Sequence, residues 1–377
     1  MTDAAADDIV CEPAGLDLGQ GQGLDGVEPG EDLEELTLPL ADDWHMHLRQ
    51  GDMARVVVPL VRRAGVQRGI VMPNTIPAVT TTAMALDYRA ELCELDDLVD
   101  YKMLLYLSPD LTPDDLQKGK DSGLVTGVKS YPRGVTTNSD AGVESYEQYY
   151  PQFRKMEELG LVLHLHGEVP GECVMEAEGK FIGELEKLAR DFPGLKIVME
   201  HVSTKAAVEA VLRLGPNVAA SVTAHHLDIT IDQVVGCCHY FCKPVPKLPS
   251  DRNALRQVVF SGHPKFFFGS DSAPHPRSKK EGGVAAAGVY TGAAVIQYLA
   301  HIFGEARQLH RLPDFVGTFG ATFLGHPLNL MTGPRMRIFK KVCLVPDTHG
   351  EEILGKENAV VPFRAGQVLD YQIEILD

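Results

Sequence analysis

Trp44-His45-Met46-His47-Leu48-Arg49 sets two imidazoles two residues apart, directly after the apolar run Leu36-Thr37-Leu38-Pro39-Leu40. In a strand, residues two apart face the same side, so both rings can converge on one ion. Imidazole suits zinc and similar borderline cations. Taken alone, the pair is equally compatible with ordinary strand histidines, so its meaning rests on the rest of the chain. Its position also bears on the fold. A doubly wound sheet needs a glycine-rich phosphate loop after the first strand, and here that place is taken by His-Met-His.

Outward from this point, short β-rich runs alternate with helical ones. Strands are predicted at 36–45, 68–72, 99–107, 124–130, 161–166, 195–200, 217–222 and 265–270. Helices are predicted at 53–64, 80–95, 144–159, 178–191 and 204–214, with a further short one opened by Pro113 in a first turn. Eight strands with helical crossovers predict an α/β fold of the (β/α)₈ TIM-barrel kind. The longest connection, 223–264, is rich in Cys, Pro and His and is expected to lie over the barrel mouth.

The 377 residues carry a net charge of −17, unevenly placed. Thirteen acidic residues precede Arg49 with no Lys or Arg among them, so the remainder carries only −4. No basic stripe is left to neutralise phosphates, which excludes nucleic acid as a partner. Residues 1–35, acidic and with Gly19-Gln20-Gly21-Gln22-Gly23, read as a disordered tail, and 36–377 as a single barrel domain. No signal or transit peptide is recognisable, and no apolar run is long enough to span a bilayer. Seven scattered cysteines fit a reducing, cytoplasmic setting better than a disulfide framework.

Catalytic side chains of a barrel gather where its strands end at the C-terminal face. Those ends read His45 and His47; Met72-Pro73-Asn74; Lys129-Ser130-Tyr131; His164-Leu165-His166-Gly167-Glu168; Glu200-His201; and Gly269-Ser270-Asp271-Ser272-Ala273-Pro274-His275. The lysine is the odd member, because an ammonium repels a metal. Desolvated beside cations, its neutral amine could add CO₂ and become a carbamate whose two oxygens bridge two ions. The alternative is that Lys129 simply pairs with a nearby acid.

These motifs together resemble the metal-dependent amidohydrolase superfamily. More narrowly, Asp42-Asp43-Trp44-His45-Met46-His47-Leu48-Arg49, Val71-Met72-Pro73-Asn74, Thr136-Thr137-Asn138-Ser139, His166-Gly167-Glu168, Glu200-His201 and Gly269–His275 are similar to the class II, monofunctional dihydroorotases. The likeness runs from about residue 37 to the C-terminus.

The resemblance implies two zinc ions, with His45, His47 and Asp271 on one, His166 and His201 on the other, and Lys129, carboxylated, bridging them together with a hydroxide. Such a pair brings a shared water to a pKa of about 7 or below. It further implies a zinc-dependent, reversible cyclisation of N-carbamoyl-L-aspartate to L-dihydroorotate in de novo pyrimidine biosynthesis, with Asp271 carrying the proton. Arg49 would pair with the substrate carboxylate, and Asn74 and His275 would complete that pocket. Thr136 and Thr137 resemble a mobile loop that closes over substrate. Backbone contacts to the ring would come from Lys243, in Cys242-Lys243-Pro244 where many relatives have Cys-Leu-Pro, and from Ala287. A homodimer acting on a small molecule is also implied.

Other readings compete at single residues. His164, one layer below His166, is expected to be a hydrogen-bonded core histidine. Cys237-Cys238-His239 with Cys242 lacks the CxxC pair of a structural zinc site, and His225 and His226 are expected to be supporting residues. A hydantoinase- or dihydropyrimidinase-like cyclic amidase shares the metal apparatus but need not bind a ring carboxylate. A catalytically inactive homologue acting as a binding protein would typically have lost metal ligands.

Overall fold

The computed structural model describes residues 27–139 and 142–376. The sequence around the His-Met-His pair does not form one strand. β1 (Glu35–Pro39) and β2 (Ala41–Met46) belong to different sheets, a correction to the strand predicted at 36–45. Pro39 has no N–H for a ladder, and the next two amides part company: Leu40 donates to the carbonyl of Pro334, Ala41 to that of Gly65.

The eight-stranded parallel sheet runs β2, β3 (Val66–Val71), β4 (Asp100–Tyr106), β5 (Val125–Ser130), β6 (Val162–His166), β7 (Ile197–Glu200), β8 (Val218–Val222) and β9 (Phe266–Phe268), in sequence order. It closes as a (β/α)₈ barrel because the chain beyond β9 runs on beside β2. Asp271 N–H donates to the His45 carbonyl at 2.8 Å and His47 N–H to that of Ser272 at 3.0 Å. Beneath this seam the buried Asp43 carboxylate accepts from the amides of Ser270 and His45.

Between strands lie the helices. Gly51–Arg63 buries Ala54, Val57, Val58 and Val61, a helical repeat turned toward the barrel. Threonines cap several strand-to-helix transitions, with Thr81, Thr112, Thr204 and Thr223 accepting from the amides of Met84, Asp115, Ala207 and His226. The connection 223–264, expected to lie over the barrel mouth, has secondary structure of its own. It holds helices Ala224–Asp228, Ile231–Gly236 and Pro249–Phe260, the last of which buries Leu255, Val258 and Val259.

β10 (Arg335–Leu344) and β11 (Val368–Leu376) pair antiparallel with β1 in a second sheet of order β1-β10-β11. Residues 1–26, most of the expected acidic tail, lie outside the described residues. Nearer the barrel, Gly30 N–H donates to the Arg307 carbonyl. Among the described residues no helix is long and apolar enough to cross a membrane, and the six cysteines form no disulfide.

The barrel interior is filled at its base by Trp44, Ile70, Leu104, Val162, Val198, Ala219 and Phe267, closed by the helix Phe319–Leu324. Gly320 of that helix lies flat on the indole, since a Cβ there would stand 2.0 Å from Trp44 Nε1. Gly320→Ala is therefore expected to destabilise the protein by about 1–3 kcal/mol through overpacking, with the pocket chemistry unchanged. A thermal melt beside an activity assay checks this, and an unshifted midpoint would contradict the packing argument.

Candidate active site

Period-two alternation carries the site upward from that base. On β6, Val162, His164 and His166 face inward in successive layers, with Lys129 of β5 in register with His164 and Glu200 of β7 in register with His166. His201 would alternate outward. Its left-handed backbone, φ 43°, turns the ring in instead, 4.8 Å from the His166 ring and 5.1 Å from that of His45. Arg49 and Asp271 share this uncommon backbone state, at φ 59° and 43°. Strain of this kind gathers where side-chain placement matters more than local comfort.

The protonation pattern can be worked out from partners. The Thr137 carbonyl can only accept, so the Asn74 amide presents Nδ2 to it at 3.1 Å and Oδ1 to His47 Nδ1 at 2.8 Å. His47 Nδ1 therefore carries the proton, and its Nε2 turns a lone pair toward Asp271 Oδ1 at 3.0 Å. His45 repeats the arrangement: Nδ1 donates to Glu200 at 2.8 Å, and Nε2 faces Asp271 Oδ1 at 3.3 Å. Burial pushes His47 down to about 4, so no proton of its own fills the gap. Burial would lower His45 too, yet the charges of Glu200 and Asp271 hold its pKa up, the mark of a point that calls for positive charge. Two imidazole nitrogens and a carboxylate oxygen converging on a point that favours positive charge fit a metal cation.

A second group meets the same test. His166 Nε2 donates to Glu168 at 2.8 Å, which leaves Nδ1 free to ligate. His201 Nδ1 and Lys129 Nζ are buried with no hydrogen-bond partner among the described residues. The alternative that Lys129 pairs with an acid is not what the structure shows, for no carboxylate lies within ion-pair distance of it among the described residues. Burial pushes the amine down to about 8, against the attraction of Glu200 and Asp271. Burial alone would raise Glu200, but His45, His164 and Lys129 outweigh it and keep the carboxylate ionised. His164, one layer down, donates from Nδ1 to the same carboxylate at 2.5 Å.

Above these groups lies a pocket of about 340 Å³ lined by His45, His47, Arg49, Asn74, Tyr131, Thr136, Thr137, His166, His201, Lys243, Asp271, Ala273, Ala287 and Gly288. Lys129 lies beneath it, its Nζ 5.2 Å from the Tyr131 ring. His275 stands behind Arg49. Its Nε2–H donates to the Ala287 carbonyl at 2.9 Å, and the Arg49 guanidinium, anchored through Nε on the Pro274 carbonyl, lies 3.1 Å from the same nitrogen. With the His275 N–H spent on Ala287, the guanidinium N–H groups of Arg49 that face the pocket are the donors open to a carboxylate oxygen. The Asn74 amide is already engaged at both ends by the protein, so it also orients His47.

Sequence reasoning gave no role to Glu200, Glu168 and Tyr131, although each lies within two residues of a candidate ligand. A carboxylate next to a ligand in the chain was the available signal for the first two. The cysteine-rich stretch does not converge on a metal. Cys242 meets His225 and His226 in the interior, but both His226 nitrogens are used, by Thr223 Oγ1 and the Pro244 carbonyl. His239 pairs instead with Glu281.

Residues 43–286 match the amidohydrolase family. A probable dihydroorotase of Schizosaccharomyces pombe is 44% identical over 339 residues, 89% of this chain and 98% of that protein. The dihydroorotase of Saccharomyces cerevisiae is 40% identical over 362 residues, covering 90% and 98%. The crystal structure of dihydroorotase from Saccharomyces cerevisiae in complex with 5-fluoroorotic acid superposes with a TM-score of 0.86 at 38% identity, over 91% of this chain and 99% of that one.

Proposed function

The chain belongs to the dihydroorotase family of amidohydrolases, and from that premise we propose how its own residues divide the work. The reaction is the reversible cyclisation of N-carbamoyl-L-aspartate to L-dihydroorotate with loss of water, a step in pyrimidine biosynthesis. The reading rests on one observation: a cluster of converging histidine and aspartate ligand atoms and the Arg49 guanidinium open into the same pocket.

In this reading the metal is zinc and two ions are held, one by His45, His47 and Asp271, the other by His166 and His201, with Lys129 as a carbamate between them. When bound, the ions supply a water acidic enough to ionise near neutral pH and polarise the amide carbonyl. Glu200, Glu168 and Asn74 fix the tautomers of His45, His166 and His47, so that each ring presents its bare nitrogen. Asp271 takes the proton of the attacking water in the hydrolytic direction and delivers it to the leaving ring nitrogen. In the synthetic direction it removes the proton from the ureido nitrogen.

Arg49 holds the ring carboxylate, with His275 completing the pocket by fixing the Ala287 carbonyl beside it, while Thr136 and Thr137 close over the substrate and exclude water. The Lys243 backbone and the Ala287 N–H flank the ring. The hydroxyl of Thr137 already reaches the Ala287 carbonyl at 3.4 Å. The family likeness extends the reading to a cytoplasmic homodimer.

A cyclic amidase for hydantoins or dihydropyrimidines has no need of the Arg49 carboxylate pocket. Turnover of dihydroorotate, measured beside hydantoin and dihydrouracil, is expected only for the first; activity confined to the other two would overturn the assignment. Arg49→Met should raise KM for dihydroorotate about 30- to 1000-fold, since a charge-assisted bidentate contact contributes roughly 2–4 kcal/mol. An unchanged KM would show that the carboxylate sits elsewhere.

A further inference from the structure

We propose that Lys280 is a positioning residue for the substrate ring, its ammonium holding the two backbone segments around Lys243 and Ala287 at the spacing the ring requires. The lysine is 4% exposed, on a short helix Arg277–Lys280 behind the pocket wall. Its Nζ donates to three carbonyls: Phe241 at 2.8 Å, Ala286 at 2.9 Å and Gly288 at 2.7 Å. Three ammonium protons meet three acceptors, a saturation that a neutral amine with two hydrogens cannot match.

The geometry of the two segments explains why this matters. Gly288 N–H also donates to the Phe241 carbonyl at 2.9 Å, so the segments are joined directly as well as through the lysine. Across residues 286–288, Lys280 holds the first and third carbonyls, and His275 holds the middle one. The amides of Ala286 and Gly288 donate to Lys279 and Phe241. Among the described residues, the amide of Ala287 has no protein acceptor, and Ala287 lines the pocket. All three carbonyls are thus tied back while one N–H is left for a ligand.

On the other segment, Lys280 fixes Phe241 and the His226 ring donates to the Pro244 carbonyl at 3.0 Å, which brackets Lys243. Gly288 is required as glycine, at φ 153° and with a Cβ position 2.6 Å from the Ala273 carbonyl. The backbone here therefore has little freedom except what the lysine removes. Burial pushes the ammonium down to about 8, a cost that a residue merely filling space would not incur.

The inference rests on the reading that Lys243 and Ala287 flank the substrate. Lys280→Met keeps the stem and removes every donor. It is expected to raise KM for dihydroorotate about tenfold or more, the scale of losing one or two well-placed hydrogen bonds, while kcat and bound metal stay close to wild type. Lys280→Arg, which restores donors on a longer arm, should recover part of the KM loss. If the methionine variant does not fold, Lys280→Gln carries the same comparison with two donors. A wild-type KM in a folded donor-less or donor-depleted variant overturns the inference. Arg49→Met run in parallel separates the two levels: raised KM there alone rejects the role of Lys280 and leaves the pocket reading intact, whereas unchanged KM in both rejects the pocket reading itself.

Discussion

Asp271→Ala is expected to reduce turnover in both directions by about 10²–10⁴-fold, the usual contribution of a positioned acid–base group. Among the described residues, Asp271 is the only carboxylate that reaches both His45 and His47, at 3.3 and 3.0 Å, and it also lines the pocket. Glu200 is committed to His45, His164 and Ser221, and Glu168 to His166, so neither is placed to take over the proton. Four histidines and Lys129 remain in the variant, so much of the metal should stay bound. Rate measurements with elemental analysis of the same preparation test both halves. Full activity would remove Asp271 from proton transfer, and complete loss of metal would reduce it to a ligand.

Lys129→Ala should behave differently, with metal and activity lost together, the rate falling by at least about a hundredfold. Lys129 is fully buried and its amine has no hydrogen-bond partner among the described residues, so a plain ammonium has nothing there to offset its burial. Conversion to a carbamate would supply an anion where His166, His201 and the Asp271 group need a common neighbour. Short carboxylic acids added to the alanine variant should restore part of the activity by occupying the vacated space. Intact mass spectrometry of the wild type should show the additional mass of one CO₂ when metal is retained. Retained metal and rate in the alanine variant would exclude the carbamate.

Much of the candidate site was legible because its residues are announced locally. Each candidate ligand stands at or just past a strand end, in an order that alternating β-rich and helical runs already suggested. The strand predicted at 36–45 failed because its first half has a distant partner: β1 ends at Pro39, in register with Arg335 of β10 about 300 residues away. β10 and β11 went unread although alternation is present in the first half of β10, where buried Met336 and Ile338 alternate with half-buried Arg335, Arg337 and Phe339. Pro249–Phe260 went unread because its stretch was taken with the Cys- and His-rich segment before it.

By itself, then, the sequence determined the barrel and placed the candidate ligands at its strand ends, because period-two alternation and strand-end motifs are properties of neighbouring residues, while the proposed role of Arg49 came with the family resemblance. Only the tertiary structure decided how those groups are prepared. His45 receives its tautomer from Glu200, 155 residues on, and His47 turns its lone pair toward Asp271, 224 residues on. The meeting of Asp271 with the His-Met-His pair depends on the seam that closes the barrel, and the spacing around Lys243 and Ala287 on a buried ammonium behind the wall. Such contacts join residues that share no local pattern, so their geometry exists only once the chain has closed on itself.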